Sequence, residues 1–213
     1  TSSNCSNDGG VIPEKYTFSN QLYARIFQNV QTLRGIRLGP GYNILSLEVF
    51  RGCSNVTALE LTPHALTKIS DGVFRDLTSL REGCVDQTNL TGKVHCFFAD
   101  CSSMTNLYLN IPNVEDISAS FHNLPLMCDV TDWNLSSVTG LLTYAGLGSE
   151  KTRKVTGTLH LPSVKVIGQL ALPNTIEEID FDKAVPTSVR NDWAGWNGAA
   201  LCSLKFNGKA PGR

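Results

Sequence analysis

The stretch Phe50-Arg-Gly-Cys53-Ser-Asn-Val56-Thr-Ala-Leu59-Glu-Leu61 sets an aromatic residue first and then apolar or Cys residues three, six, nine and eleven positions on. The same frame recurs on both sides of it. Phe27 leads Val30, Leu33, Ile36 and Leu38, and Phe98 leads Cys101, Met104, Leu107 and Leu109. Phe74 leads Leu77 and Leu80, then Gly83 and Val85, while Phe121 leads Leu124, Met127 and Val130, then Asp132. The leading residues Phe27, Phe50, Phe74, Phe98, Phe121 and Tyr144 lie 23, 24, 24, 23 and 23 positions apart. With 9 Phe in 213 residues, this spacing marks an internal repeat, and a period between roughly 20 and 50 residues signals stacked units. After Tyr144 and Leu147 the polar stretch from Ser149 to Lys154 reads as an insertion. The frame resumes at Leu159 and Leu161, and again at Leu170, Ile176, Ile179 and Phe181.

Residues nine and eleven after the aromatic alternate as a short strand does, with both side chains on one face. The spacing of three and six suits a helical or 3-10 turn. One strand and one turn cannot bury an apolar face alone, so neighbouring units must stack on each other. The sequence therefore predicts an α/β repeat, a solenoid of about 23-residue units whose short strands stack in one sheet, about 4.8 Å apart. Gly83 is expected to weaken its unit. A single domain over residues 1–213 is expected, with an N-terminal cap at 1–22, repeats at 23–182 and a C-terminal cap at 183–213. Within the last, Leu204 and Phe206 add a strand, and Trp193 and Trp196 either cover the end of the core or stack on carbohydrate.

The phrases beginning at Phe50 and at Ile69 (Ile69-Ser-Asp-Gly-Val-Phe74-Arg-Asp-Leu77-Thr-Ser-Leu80) resemble the BspA-like leucine-rich repeats, whose units read roughly I-G-x-x-A-F-x-x-C-x-x-L-x-x-L-x-L. Asp132-Trp133-Asn-Leu-Ser-Ser-Val-Thr139 resembles a related bacterial surface repeat with a W-[DN]-x-S-x-V-T core. The likeness runs over about residues 24–182. It implies a leucine-rich-repeat solenoid, Cys in the third position after the aromatic, and a bacterial, secreted or cell-surface protein with protein ligands such as matrix components.

Composition agrees with a folded chain of ordinary type: 41% hydrophobic, 17% charged, and 18 Lys+Arg against 19 Asp+Glu for a net charge of -1. That balance, without strong local runs of one sign, offers no electrostatic footprint for nucleic acid or an anionic membrane surface. No window approaches the ~20 apolar residues of a membrane-spanning helix. The polar start, Thr1-Ser-Ser-Asn-Cys5, lacks Met and reads as a mature or trimmed chain in which any secretion signal or lipid anchor would lie upstream. Seven cysteines (Cys5, Cys53, Cys84, Cys96, Cys101, Cys128, Cys202) cannot all pair within one chain. Cys53 and Cys101 share a column but stand two rungs apart, about 9.6 Å, so they read as buried thiols. A bridge from Cys84 or Cys96 to Cys128 stays open.

No hydrolase, metalloprotease or nucleotide-loop signature occurs, so no catalytic residue, metal or cofactor is assigned. Gly146-Leu-Gly-Ser-Glu-Lys151-Thr lacks the Gly before Lys that a phosphate loop needs and reads as part of the insertion. His95, Cys96 and Cys101 make an incomplete metal set. His64, His95, His122 and His160 fall at different places in the frame. Glu178, Asp180 and Asp182 alternate on one strand, a row that attracts calcium or a basic partner or is plain solvated surface. Sequons at Asn4, Asn55, Asn89 and Asn134 match what composition alone supplies.

What remains is surface. Ten positions after each aromatic, pointing outward, stand Arg37, Glu60, Cys84, Tyr108, Thr131, His160, Asp180 and Lys205, flanked by Asn106, Asn110, Asp129, Trp133 and Glu178. The candidate ligand face is Arg37, Glu60, Tyr108, Asp129, Thr131, Trp133, His160 and Asp180, with Tyr108 and Trp133 as its anchors, because Tyr, Trp and Arg are the types that most often carry interfaces. Alternatively Tyr108 pads the sheet and Trp133 packs as framework. The chain is read as a non-catalytic extracellular binding or adhesion module for a protein, such as a host matrix or cell-surface component, or a glycan. The other readings are a structural spacer of a larger surface protein and a glycan-active module.

Overall fold

Alternating apolar residues make strands only where each strand finds a neighbour for its backbone groups, and here every neighbour comes from the next repeat. The computed structural model describes residues 20–141, 155–168, 178–182, 184, 186–189 and 203–205. Its strands fall into two rows. The first holds β2 (Gly35–Leu38), β4 (Ala58–Leu61), β6 (Glu82–Asp86), β8 (Asn106–Asn110), β11 (Thr158–His160), β13 (Glu178–Asp180) and β15 (Ser203–Lys205). The second holds β1 (Gln21–Leu22), β3 (Ile44–Leu45), β5 (Lys68–Ile69), β7 (Gly92–Lys93), β9 (Val114–Asp116), β10 (Gly140–Leu141), β12 (Val166–Ile167) and β14 (Ser188–Val189). The paired strands all run parallel. Repeat stacking thus yields the expected solenoid with its period of about 23 residues, and it adds a second row that the single-sheet expectation lacked.

Register in the first row aligns equivalent positions: Ile36↔Leu59 and Leu38↔Leu61 between β2 and β4, Gly83↔Leu107 and Val85↔Leu109 between β6 and β8, and Leu159↔Ile179↔Leu204 across β11, β13 and β15. β4 lies beside β6, where the His64 N–H donates to Asp86 O at 2.9 Å. Between β8 and β11 the row passes through residues 127–134: Met127 N–H donates to Thr105 O at 2.7 Å, Asn110 bridges Asn134, and Asp129 bridges Thr156.

The third edge of each repeat is a turn centred on the aromatic. Two positions before and two after it, the backbone enters the left-handed region: Arg25 and Asn29, Glu48 and Gly52, Gly72 and Asp76, Cys96 and Asp100, Ala119 and Asn123, all with φ between 51° and 73°. Alternating handedness aims the N–H groups at positions −2, 0 and +2 toward the next turn. Glu48, Phe50 and Gly52 donate to the carbonyls of Asp71, Val73 and Arg75 at 3.0, 3.1 and 3.0 Å, and Gly72, Phe74 and Asp76 to those of His95, Phe97 and Ala99 at 3.0, 3.2 and 2.9 Å. The left-handed residue at +2 also explains why the spacing of three and six does not grow into a helix, and no helix occurs among the described residues. What survives is a pair of i+3→i turns, such as Cys53 N–H to Phe50 O and Val56 N–H to Cys53 O.

Inside the turns the rings stack. Phe27, Phe50, Phe74 and Phe98 follow one another at centroid distances of 5.4, 5.8 and 5.7 Å with interplanar angles of 2°, 7° and 17°. Phe97 adds a tilted ring 4.4 Å from Phe98. Cys53 and Cys101 are buried free thiols, as their column suggested, and each donates its S–H to the aromatic's carbonyl one turn back: Phe27 O at 2.9 Å and Phe74 O at 3.1 Å. Burial pushes the Cys101 thiol up to about 12. Gly83 leaves no hole, since a Cβ there would lie 2.8 Å from Leu107 Cδ1 and 3.4 Å from Met104 Cε.

Residues beyond 182 continue both rows through β14 and β15, and the expected last strand at Leu204 is β15. The expectations for residues 1–19, Tyr144, the Gly146–Lys151 stretch, Leu170, Ile176, Trp193, Trp196 and Phe206 lie outside the described residues.

Replacing Phe74 or Phe98 by Ala removes a fully buried ring from the stack and is expected to cost about 3–5 kcal/mol in urea denaturation, whereas Tyr108→Ala on the outer face costs below about 1 kcal/mol. Equal losses at all three positions would contradict the register.

Candidate functional site

The outward column of the first row is continuous from β2 to β8. Arg37 and Glu60 are direct partners on β2 and β4, and Arg37 Nε lies 2.6 Å from Glu60 Oε2 with both side chains about two-fifths exposed. Cys84 and Tyr108 are the direct partners that follow on β6 and β8. Tyr108 is half-buried. Burial first, and then the charges of Asp86 and Asp132, push its phenol up, so it stays protonated as a hydrogen-bond donor at neutral pH. Beside it, Asp86 accepts from Asn110 Nδ2 at 2.7 Å and lies 3.7 Å from His64 Nδ1.

Past Tyr108 the column bends. The Phe121 repeat carries two extra residues between Met127 and Trp133, so Trp133, not Asp132, takes the inward place that Leu109 holds one turn earlier. Trp133 is 3% exposed, packs 5.5 Å from Phe121, and donates Nε1–H to Leu107 O at 2.8 Å. This corrects its place as an anchor of the ligand face: the ring is framework and presents no surface. Ahead of that surplus the repeat is one residue short, so Met127 takes the place of Thr105 one turn back and turns outward, 56% exposed, with Leu126 in the core in its stead.

The surplus residues fold into a tight turn at Asp129 and Thr131. Asp129 Oδ1 accepts from the Thr131 N–H at 2.8 Å and from its hydroxyl at 2.6 Å, and those two bonds, the hydroxyl first, hold the Asp129 carboxyl below its ordinary value. The turn sits on Gly157, whose φ is +88° and where a Cβ would fall 2.0 Å from Asp129 Oδ1 and 2.3 Å from Thr131 Oγ1. At the far end His160 and Asp180 are direct partners, Nδ1 to Oδ2 at 3.5 Å, and the backbone of Lys205 follows in register. Of the acidic row, Glu178 accepts from Thr158 Oγ1 at 3.1 Å and Asp180 from the Asp182 N–H at 2.9 Å. No group of three His, Cys, Asp or Glu side chains arranged to hold a metal occurs among the described residues.

So the structure lines up Arg37, Glu60 and Tyr108, keeps Asp129 and Thr131 together in one turn, and pairs His160 with Asp180 further along. Sequence reasoning missed the turn edge. There Arg25, Glu48, Arg51, Asp76, Arg75 and Asp100 alternate in sign as a chain of ion pairs climbing the stack, with Arg25–Glu48 at 2.7 Å, Arg51–Asp76 at 3.0 Å and Arg75–Asp100 at 2.9 Å. The signal was available, because these residues occupy positions −2, +1 and +2 of the aromatic frame. Each histidine also faces an aspartate one repeat away: His64 with Asp86, His95 with Asp116 at 3.3 Å and Asp71 at 3.8 Å, His122 with Asp100 at 3.3 Å, and His160 with Asp180.

Cysteine usage is settled in part. Cys84 is disulfide-bonded, whereas Cys53, Cys96, Cys101 and Cys128 are free. A bridge from Cys84 or Cys96 to Cys128 is therefore not made. Burial raises the Cys96 and Cys128 thiols as well.

A parallel solenoid with one repeating sheet face and ladders of polar side chains defines a repeat-built binding scaffold. The family model described as the BspA type leucine-rich repeat region matches the chain in six copies over residues 3–128, more than half its length, and the chain belongs to that family. Comparison with curated proteins and with solved structures returns no match. No described helix is long and apolar enough to cross a membrane.

Two outcomes follow from this geometry. Gly157→Ala is expected to cost about 1–3 kcal/mol by urea denaturation, more than Gly92→Ala, which has a φ of +78° but nothing within 4 Å of its added Cβ. Acid should loosen the stack. At Asp100 burial alone would raise the carboxyl, but hydrogen bonds from Asn123 and His122 and the charges of Arg75 and His122 hold it below its ordinary value; at Glu48 the Arg25 and Arg51 guanidinium groups outweigh burial to the same effect. Such groups bind protons more weakly folded than unfolded, so their stabilisation is complete above the unfolded value near about pH 4 and is lost as pH falls through the folded values. Melts at pH 6 and pH 3 test this, and equal stability at both would contradict it.

Proposed function

We propose that the protein is a non-catalytic extracellular binding module, a single solenoid domain over residues 1–213, that presents the outer face of its first strand row to a protein ligand in an adhesive role at a cell surface. The observation that supports this reading is the line of Arg37, Glu60 and Tyr108 on β2, β4 and β8 of the first row, with Cys84 on β6 between the last two. It offers a guanidinium and a carboxylate one rung apart and a phenol donor two rungs further on a rigid sheet, and Tyr and Arg are among the residue types that most often anchor protein interfaces. A disulfide at Cys84 supports an oxidising compartment, as outside the cell. One observation favours the spacer reading. Arg37 and Glu60 satisfy each other, so a ligand must compete with their ion pair.

The test is a binding screen of the purified chain against extracellular-matrix proteins and a glycan array, beside an Arg37→Ala/Tyr108→Ala variant of unchanged melting temperature. Saturable binding to a protein, weakened at least tenfold in the variant, is the expected result. Binding to glycans alone would move the ligand class, and silence on both panels would favour the spacer.

A further inference from the structure

We infer that the outer face of the first strand row takes a cationic polypeptide segment, with one of its Lys or Arg side chains laid on the Tyr108 ring among Glu82, Asp86 and Asp132. This partner class rests on the binding role proposed above. Across β6, β8, residues 127–134, β11 and β13 the row carries Glu82, Asp86, Asp129, Asp132, Glu178 and Asp180, and no Lys or Arg. The second row has the opposite sign, since Lys68 of β5, Lys93 of β7 and Lys165 before β12 are exposed, against Glu115 of β9. Turn-edge arginines are taken up by Glu48, Asp76 and Asp100. A chain with 18 Lys+Arg against 19 Asp+Glu thus separates its charge between two faces, and the first row draws a cation while repelling an acidic segment.

Register centres this field on Tyr108. Its direct partner on β6 is Cys84, so Glu82 and Asp86 are its diagonal neighbours, and the bridge of Asn110 to Asn134 puts Asp132 beside it on the other side. These carboxylates stand about 5–8 Å from it, within the screening length of about 8 Å at physiological salt. The groups around the ring are acceptors in want of donors: Asn110 Oδ1 is buried with none, and Glu82 and Asp132 are exposed and make no hydrogen bond or ion pair with a described residue. Arg37, by contrast, is already met by Glu60, and Arg81 is exposed one residue ahead of β6, at the rim toward the turn edge. An aromatic face attracts a cation through its quadrupole, more strongly where water is partly excluded, and Tyr108 is half-buried.

Fluorescence anisotropy of the purified oxidised chain with three labelled dodecapeptides, Gly alternating with Arg, Ser or Glu, tests this. The Arg peptide is expected to bind saturably and at least about tenfold more tightly than the other two at 50 mM salt, and to weaken at least about fivefold at 300 mM. Glu82→Gln/Asp132→Asn, which removes no contact between described residues, and Tyr108→Ala are each expected to weaken it at least about fivefold. Tyr108→Phe keeps the ring and the affinity, and Glu115→Gln on the second row changes it less than about twofold. No preference for the Arg peptide, equal losses at Glu115 and at Glu82/Asp132, or a loss in Tyr108→Phe as large as in Tyr108→Ala would overturn the cationic partner. The same variants applied to a ligand from the screen separate the two claims. Binding that falls in Arg37→Ala/Tyr108→Ala but holds in Glu82→Gln/Asp132→Asn keeps the binding role and overturns the cationic partner, whereas silence on both panels and all three peptides overturns both.

Discussion

The structure depends on the three N–H groups that each aromatic turn donates to the turn above it. They point one way only because the residues at −2 and +2 are left-handed, and each such residue other than glycine costs on the order of 1–2 kcal/mol on its own. That cost is met by the bonds themselves and by the buried ring they hold. A phenylalanine at position 0 stacks on its neighbour at 5.4–5.8 Å, wider than the strand spacing of about 4.8 Å, and the rings offset to fill the difference. Ladder and ring column share one period. A repeat cannot gain or lose residues in the turn without losing both, which is why the irregularities of this chain fall elsewhere.

The Phe121 repeat illustrates the rule. Its surplus is expelled to the outer side of the strand row as the Asp129–Thr131 turn, which is tolerated because Gly157 beneath it has no side chain. Trp133 then fills the inward site, and its indole N–H finds a backbone carbonyl, as a buried indole requires. Polar surface obeys the same period. Arg37 meets Glu60, Asn110 meets Asp86 and each histidine meets an aspartate because equivalent positions are stacked one rung apart, so nearly every charged contact joins adjacent repeats.

Legibility of the sequence follows from how many residues a feature uses. Each repeat writes its aromatic and four apolar positions into the chain, so the solenoid, its period, the inward strand residues and the buried thiols at Cys53 and Cys101 could be read directly. The second strand row could not. Pairs such as Ile44–Leu45 or Lys68–Ile69 turn a single residue inward, too little to show a period of two. The left-handed turn residues leave only a partial trace, because Arg25, Glu48, Cys96 and Ala119 have no preference for that conformation, while Gly52, Asp76, Asp100 and Asn123 do. Trp133 was misplaced for a related reason: counting from Phe121 assumes an unbroken frame, whereas one residue fewer before Met127 and two more after it leave a net shift of one, which exchanges inside and outside at Trp133.

A solenoid built this way separates what folds from what binds. The rings, thiols and leucines face one another along the interior, and substitution there breaks the contacts of two neighbouring repeats at once. Side chains in the outward column bond to neighbours on the outer face, as Arg37 does to Glu60 and Thr131 to Asp129, so they vary without disturbing the interior. The family relation fixes the scaffold and leaves the column open, and the column is where this chain has something of its own: an ion pair, a bridged cysteine and a tyrosine on four successive strands. These unlike residues, the bridged Cys84 among them, give each rung of the column a different chemistry although the backbone beneath repeats. A partner approaching such a face no longer meets a translationally repeating surface on which it could slip by one rung. Specificity on a repeat surface requires side chains that break its symmetry in this way.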